Sequence, residues 1–376
     1  MRSVAPGPAV DILGAPYEVE EIDLGEDDEG PVVATLVRRP THGETNCAVL
    51  HLHGFADYFF QTEYAEWWTA RGYTFYALDL RKYGRSIRGH QTPNYVSDLA
   101  EYFPEIDEAF RRITERDGHE AVVGSAHSTG GLTLPLWAHD RQPGLAGMVL
   151  NSPWFDLQGP WWLRTVGTEL VRRLADLAPR TVVPRTVSGL YARSLHLDHE
   201  GDWSFDLAWK PLESWPVRTG WLRAVRAGHA RLHRGLEVGC PALVLSSART
   251  GQPVAMDEDV HTTDIVLDVE QIRRWAPSLG AHVTSVAIPG ARHDVVLSRP
   301  QARAEVYRAL DAWLTAWVEA PEIQATEDQA TEDQATEDQA TEDQPTRNAV
   351  SATSPTTTIV ARSHGSGSLR PTLAPS

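Results

Sequence analysis

The sequence predicts an α/β protein whose mainly parallel, doubly wound sheet carries a helical cap insertion. Short, continuous apolar runs alternate with helical patterns over most of the chain, which is typical of parallel sheets covered by helices on both faces. The alternation stops between residues 153 and 239 and then resumes. We therefore expect one α/β domain that is interrupted by a helical segment.

Six strands are predicted before the insertion, each from an apolar run of strand length. The run CAVLHLHG is representative, because a continuous apolar run that ends in glycine suits a strand buried on both faces. The six runs are 17–24, 32–39, 47–54, 73–80, 120–128 and 147–153, with helical patterns between them at 63–71, 97–117 and 129–141. After the insertion come a strand at 241–247, a helix at 268–279, a strand at 282–290 and a helix at 300–319.

The insertion divides the chain into four predicted parts. They are the first part of the core (1–152), the cap (153–239), the second part of the core (240–320) and a tail (321–376). Two interpretations of the tryptophans in the cap stay open: they pack the cap against the core, or some of them line a substrate pocket. Seven of the 13 tryptophans lie there, namely Trp154, Trp161, Trp162, Trp203, Trp209, Trp215 and Trp221.

The net charge of −17 argues against a nucleic-acid partner, because phosphate binding needs a basic face. Part of this charge is confined to residues 324–343, where QATED is repeated four times and contributes eight acids. Without those acids the net charge is −9, which is ordinary for an enzyme of this size. The repeat has no apolar residue able to build a core, so we expect the tail to be disordered.

Other bulk features favour a cytoplasmic protein. The chain has two cysteines, Cys47 and Cys240, which cannot form a disulfide framework and lack the spacing of metal ligands. We see neither a basic start followed by an apolar block nor an apolar run long enough to span a membrane. We expect a monomer or homodimer that acts on a small molecule, with no metal and no cofactor.

The segment AHSTG, residues 126–130, places Ser128 on a tight turn between a predicted strand and a predicted helix. Such a turn forces the serine into a strained conformation and lifts its hydroxyl off the sheet end. Ala126 and Gly130 must be small, because larger side chains would collide across the bend. The motif resembles the G-x-S-x-G nucleophile elbow of the α/β-hydrolases, with Ala126 replacing the first glycine. That resemblance implies an α/β-hydrolase fold, a catalytic Ser128 and an oxyanion-hole donor at the Thr129 amide; an ordinary loop serine is the alternative.

The resemblance also implies a base and a second oxyanion donor. The hydrolases order the triad as Ser, Asp or Glu, and His, and His293 comes after the last predicted strand in GARHDVVLS. Asp294, its neighbour, is expected to be a loop or cap residue. In HLHGFADY the turn at 53–54 frees the next amide, so the Phe55 N–H is the implied partner of Thr129 in the oxyanion hole. A metal site at His51 and His53 lacks a third ligand.

The acid is less obvious, because no carboxylate lies within the usual few residues after the strand at 241–247. Asp264 is the expected acid, since it precedes Ile-Val-Leu as the acid does in the D-x-V pattern of related hydrolases. Residues 248–263 are then a loop inserted before the acid. Asp268 is the next choice, although its position before a helical run favours an N-cap. The other candidates are Asp257, Glu258, Asp259 and Glu270.

The order of HGFADY, LDLRKYGRS, AHSTGG and GARHD is similar to that in the serine aminopeptidase-like hydrolases, which include monoacylglycerol lipases and lysophospholipases. The resemblance covers residues 18–320, and it departs from the usual D-x-R-G-x-G-x-S pattern at Lys82 and Tyr83. It implies a serine hydrolase that cleaves carboxylic esters of monoacylglycerol or lysophospholipid type. A thioesterase, an amidase or aminopeptidase, an acyltransferase and a catalytically silent binding protein are the alternatives.

Overall fold

The computed structural model describes residues 9–158, 168–185 and 187–320. The predicted tail lies outside these residues, so its disorder stays a prediction. Trp161 and Trp162 of the predicted cap also lie outside them.

A central sheet of nine strands confirms the predicted α/β fold. The strands are β1 (Ala9–Val10), β2 (Glu18–Asp27), β3 (Gly30–Arg39), β4 (Cys47–Leu52), β5 (Thr74–Asp79), β6 (Ala121–His127), β7 (Gly147–Asn151), β8 (Ala242–Ser247) and β9 (Val283–Ile288). Their order in the sheet is β1-β2-β3-β5-β4-β6-β7-β8-β9. β4 to β9 pair in parallel, and β1, β2 and β3 add an antiparallel edge next to β5.

Helices connect the parallel strands much as the apolar periodicity predicts. They are α1 (Thr62–Ala70), α2 (Phe103–Arg111), α3 (Gly130–Arg141), α4 (Thr168–Leu177), α5 (Leu190–Leu195), α6 (Thr219–Leu232), α7 (Glu258–Thr262), α8 (Val269–Trp275) and α9 (Pro300–Leu314). The pattern at 97–117 resolves into a 3₁₀ turn, α2 and a π-helical turn at 112–116. Among the described residues, no helix has the length and apolarity needed to cross a membrane.

The segment between β7 and β8 holds α4, α5 and α6. α6 lies directly on the core, because a Cβ atom at Gly228 would come within 2.9 Å of Leu99 and 3.1 Å of Leu136. Trp221, on the same helix, is buried, and its ring centre lies 4.2 Å from that of Phe55 with the two rings tilted by 39°. α6 therefore connects the inserted segment to the end of β4.

A buried ion-pair cluster fixes the loop after β4. Arg85 pairs with Asp11 at 2.6 Å and with Asp79 at 2.9 Å, and the three side chains are almost fully enclosed. Asp79 also accepts the N–H of Phe59, and Arg85 donates to the Phe59 carbonyl. The cluster thus ties the loop after β4 to the end of β5. Lys82, the departure noted in the sequence, is also buried and pairs with Asp27 and Glu29 on the β2–β3 hairpin.

We expect Arg85→Ala to lower the free energy of unfolding by about 3–5 kcal/mol, because it leaves two buried carboxylates without their counter-ion. Arg116→Ala is the matched control: Arg116 also pairs with two acids, Glu20 and Asp117, but its side chain is 42% exposed. The control should lose no more than about 1 kcal/mol. Urea denaturation of both variants measures the difference, and equal losses would contradict this role for the cluster.

Candidate active site

Ser128 lies on the turn between β6 and α3 in a left-handed conformation, with φ of 51°. A non-glycine residue adopts this region only when its surroundings enforce it. Here the Ser128 N–H donates to the carbonyl of Asn151 at 3.0 Å, and the Ser128 carbonyl accepts the N–H of Trp154 at 2.9 Å. The end of β7 therefore holds the strained turn on both sides.

The small residues of the turn allow it to approach the end of β4. A Cβ atom at Gly130 would lie 2.4 Å from the His53 carbonyl oxygen, and one at Gly131 would lie 2.7 Å from Cβ of Pro153. Both distances are too short for real contacts. The prediction that position 130 must be small is confirmed, and the neighbour responsible is the backbone directly after β4.

The structure brings Ser128, His293 and Asp264 into one hydrogen-bonded row. Nε2 of His293 lies 3.1 Å from Oγ of Ser128, and Nδ1 lies 2.9 Å from Oδ2 of Asp264. Their exposed fractions are 8% for Ser128, 2% for His293 and 0% for Asp264. An ionised carboxylate only accepts hydrogen bonds, so Nδ1 carries the imidazole proton and Nε2 accepts the serine hydroxyl.

Asp264 reaches His293 although β8 ends many residues earlier. A single parallel bridge joins Thr250 to Asp264, in which the Gly251 N–H donates to the Asp264 carbonyl and the Asp264 N–H donates to the Arg249 carbonyl. The predicted inserted loop is therefore closed at its base, and it contains α7. Oδ1 of Asp264 accepts the N–H groups of Val266 and Leu267, which leaves Oδ2 aimed at His293.

Asp268, the alternative acid, is instead the N-cap of α8. Its side chain accepts the N–H of Glu270 at 3.0 Å, as expected for that position. Asp257 likewise caps α7 by accepting the N–H of Val260. The structure thus places Asp264 beside His293 and gives Asp268 the capping role expected from the sequence.

The turn before Phe55 lies against Ser128, and the Phe55 and Thr129 amides stay the predicted oxyanion donors. A Cβ atom at Gly54 would lie 3.0 Å from Cβ of Ser128, so the turn before Phe55 abuts the serine. Within the described residues, neither the Phe55 nor the Thr129 N–H has a hydrogen-bond acceptor. His53 shapes this turn, since Nδ1 contacts the Gly54 carbonyl at 2.8 Å and Nε2 accepts the Leu80 N–H at 3.0 Å.

A second buried network supports the loop that carries His293. Asp294 caps the short 3₁₀ turn at 295–297, as expected, by accepting the N–H of Val296. It also accepts the side-chain amides of Asn151 at 2.6 Å and Gln61 at 3.1 Å. Asn151 in turn accepts the Val295 N–H. The His293 loop is therefore held to β7 and to the segment before α1, which sequence reasoning did not anticipate.

A cavity of about 660 Å³ opens above Ser128 and His293. The inserted segment forms much of its wall, and two of its tryptophans, Trp154 and Trp221, line it, whereas Trp203 and Trp209 contact Leu297 and Tyr58 of the core. Different members of the set therefore line the cavity and pack on the core, while the cap and the substrate pocket stay predictions. The apolar lining includes Phe55, Trp154, Leu157, Val183, Val217, Trp221, Leu222, Val266 and Leu267.

Charged groups occupy part of the cavity wall. Asp57 and Lys210 pair at 2.7 Å, and both are buried. Burial is the largest single influence and disfavours the charged form of Asp57, but Lys210, His127 and His53 together outweigh it, so the pKa of Asp57 lies below its usual value. Burial lowers the pKa of His127, which packs 4.8 Å from the ring of His293 and donates from Nδ1 to the Asn151 carbonyl at 3.1 Å.

His51 and His53 form hydrogen bonds within the fold. Nδ1 of His51 contacts Oγ of Ser125 at 3.0 Å, and burial lowers the pKa of His51 to about 3. In the part of the chain that the structure describes, no cluster of three or more His, Cys, Asp or Glu residues is arranged to hold a metal ion.

A protein family and one bacterial protein are similar in sequence to parts of this chain. The family model described as serine aminopeptidase, S33, matches residues 43–249, a range that includes Ser128 and ends before Asp264 and His293. The uncharacterised protein YnbC of Escherichia coli strain K12 is 38% identical over 89 residues; the match spans 22% of this chain and only 14% of YnbC.

Solved structures show the same fold at low sequence identity. A monoglyceride lipase from Saccharomyces cerevisiae has a TM-score of 0.56 at 15% identity and covers 79% of this chain and 94% of its own. A monoacylglycerol lipase from Paleococcus ferrophilus has a TM-score of 0.54 at 19% identity, with 80% and 99% covered. A carboxyl esterase from Bacillus coagulans has a TM-score of 0.56 at 14% identity, with 80% and 99% covered.

We expect Gly130→Ala to lower the free energy of unfolding by at least about 2 kcal/mol, because the new Cβ collides with the His53 carbonyl. Alanine normally stabilises a helix relative to glycine by about 1 kcal/mol. A loss of stability would therefore show that the collision outweighs this helical preference. Gly89→Ala is the control, since nothing lies within 4 Å of its Cβ position. Denaturant unfolding of the two variants provides the comparison, and an unchanged Gly130→Ala protein would refute the collision.

Proposed function

Since the chain belongs to the serine aminopeptidase S33 family, we propose that it is a serine hydrolase that cleaves carboxylic esters through Ser128, His293 and Asp264. The observation that carries the proposal is the row of two hydrogen bonds, 2.9 Å and 3.1 Å long, that joins the three buried side chains. A nucleophile, a base that can take its proton and an acid that orients the base are the parts that acyl transfer requires.

In the proposed reaction Oγ of Ser128 attacks the carbonyl carbon of the ester while its proton moves to Nε2 of His293. Asp264 stabilises the resulting imidazolium and keeps Nδ1 protonated, because its other oxygen is already bound to two backbone amides. The oxyanion of the tetrahedral intermediate accepts hydrogen bonds from the Phe55 and Thr129 amides. Such preorganised donors are commonly worth about 3–4 kcal/mol of transition-state stabilisation.

Collapse of the intermediate releases the alcohol, which takes the proton from Nε2 of His293, and leaves an ester between the acyl group and Ser128. Water then attacks this acyl-enzyme, again with His293 as base, and restores the serine. The chain's own residues supply every group in this sequence, so the proposal includes no cofactor.

The lining of the cavity supports an ester with an apolar acyl part, as in monoacylglycerols and lysophospholipids. Aromatic and aliphatic side chains form most of the wall next to Ser128, and buried apolar surface contributes about 25 cal/mol per Å² to binding. The similar structures named above include two monoacylglycerol lipases and an esterase bound to glycerol, which agrees with this substrate class. We propose that the segment 153–239 acts as the cap over this cavity.

Replacement of the nucleophile is the direct test of the proposal. Ser128→Ala should reduce hydrolysis of a soluble 4-nitrophenyl ester to below about a thousandth of the wild-type rate, because it removes the attacking oxygen. The fold should survive, since the hydroxyl contributes one hydrogen bond and the neighbouring backbone bonds remain. Circular dichroism checks the fold, and a folded variant with substantial residual turnover would overturn covalent catalysis by Ser128.

Two carboxamide variants test the choice of acid. In Asp264→Asn the side-chain oxygen can keep its bonds to Val266 and Leu267, so the NH₂ group faces Nδ1 of His293 and favours the wrong imidazole tautomer. We expect turnover to fall by roughly four orders of magnitude with little loss of stability. Asp268→Asn should be nearly silent, because asparagine also caps helices. The same assay measures both, and the reverse ranking would assign the acid to Asp268.

A further inference from the structure

Arg185 is an exposed arginine of the cavity wall that, within the described residues, donates hydrogen bonds from one nitrogen, Nη2. It lies in the inserted segment and lines the same cavity as Ser128. Its Nη2 donates to Oγ of Ser214 and to the Trp215 carbonyl, both at 3.1 Å. A guanidinium has five N–H donors in a planar fork, and the described part of the chain provides no acceptor for those on Nε and Nη1.

No carboxylate neutralises Arg185 within the described residues, in contrast to most arginines of this acidic protein. Glu213, next to its partner Ser214, is exposed and forms no ion pair with it. The side chain of Arg185 is exposed to solvent, and partial burial by its neighbours lowers its pKa. Its guanidinium lies 5.7 Å from the centre of the Phe55 ring, and that residue also supplies a proposed oxyanion donor.

The charges around the cavity favour an anion. Among the described residues, its lining includes three cationic side chains, Arg185, Lys210 and Arg226, but a single carboxylate, Asp57. Asp57 neutralises Lys210, and Arg226 pairs with Asp156 at 2.7 Å. The positive charge of Arg185 is thus left uncompensated beside an apolar wall, although the whole chain carries a charge of −17. A cleft whose uncompensated charge is positive and whose wall is apolar attracts anionic ligands.

We propose that Arg185 binds an anionic oxygen group of the substrate, a carboxylate or a phosphate, so that the natural substrate is an anionic ester. This inference rests on the proposed function and narrows its substrate class. The guanidinium fork matches both groups in a two-point hydrogen bond, and it lies over the side chain of Phe55, whose amide is a proposed oxyanion donor. A neutral monoacylglycerol would leave Arg185 unpaired, whereas a lysophospholipid would satisfy it.

The test compares kcat/KM for matched anionic and neutral esters. One pair has its charge on the acyl side, mono(4-nitrophenyl) suberate against its methyl ester. The other has it on the alcohol side, oleoyl lysophosphatidic acid against monooleoylglycerol. The wild type should prefer the anionic member of at least one pair by about tenfold or more, since charge-assisted hydrogen bonds are strong. Arg185→Gln should remove most of that preference, and Arg185→Lys should retain part of it.

Arg234→Gln is the matched control, because Arg234 is exposed, lies outside the cavity and donates to the Ala230 carbonyl without an acidic partner among the described residues. It removes the same charge and should keep the wild-type ratio. The ratio compares two substrates on one preparation, so partial unfolding does not change it. Equal ratios in Arg185→Gln and the wild type, or no anionic preference in the wild type, would overturn the proposal.

A binding measurement separates this proposal from the proposed chemistry. Calorimetry with Ser128→Ala needs no turnover, and mono(4-nitrophenyl) suberate should bind it about tenfold more tightly than it binds Ser128→Ala/Arg185→Gln. If the wild type hydrolysed neither pair of esters but the difference in affinity remained, the proposed hydrolysis would be refuted and the anion site would be supported. Equal affinities, together with hydrolysis that does not depend on Arg185, would refute the anion site and leave the proposed hydrolysis intact.

Discussion

The close approach of the Ser128 turn to the end of β4 is the constraint on which the rest of the site depends. It requires glycine at position 130, a positive φ at Ser128 and backbone hydrogen bonds from β7 that hold the turn in place. The same approach brings the turn before Phe55 against Ser128, where we propose that the Phe55 and Thr129 amides act as oxyanion donors. A strained backbone of this kind persists only where the surrounding structure enforces it. The ends of β4, β6 and β7 therefore position Ser128 and the neighbouring turn before Phe55 together.

The buried carboxylates of Asp264 and Asp294 each accept hydrogen bonds from the protein at both of their oxygens. Asp264 binds two backbone amides with one oxygen and His293 with the other, and Asp294 fixes the loop of His293 through Asn151. Because each carboxylate is fully hydrogen-bonded, the imidazole is oriented by the protein itself, and little reorganisation is needed as charge develops. Arg185 differs from these groups, since its positive charge has no counterpart in the described protein.

The parts of the site that local sequence determines were predictable. An apolar run that ends at a small-residue turn identified Ser128, and chain order with the position after a predicted strand identified His293. Asp264 was predicted from the Ile-Val-Leu run directly after it, but the bridge to Thr250 that brings it to the site has no local signature. The pair between Asp57 and Lys210 joins residues far apart in sequence, so no periodic pattern could reveal it. β1, with two exposed residues, was missed because it lacks an apolar pattern.

The central claim is that this buried geometry makes Ser128 a nucleophile. A fluorophosphonate reacts covalently with a serine only when a base and an oxyanion hole activate it. Incubating the folded wild-type protein with such a probe, followed by intact mass spectrometry and peptide mapping, measures this activation without any assumption about the substrate. The account predicts a single adduct located on Ser128. Absence of an adduct, or an adduct on a different serine, would contradict it.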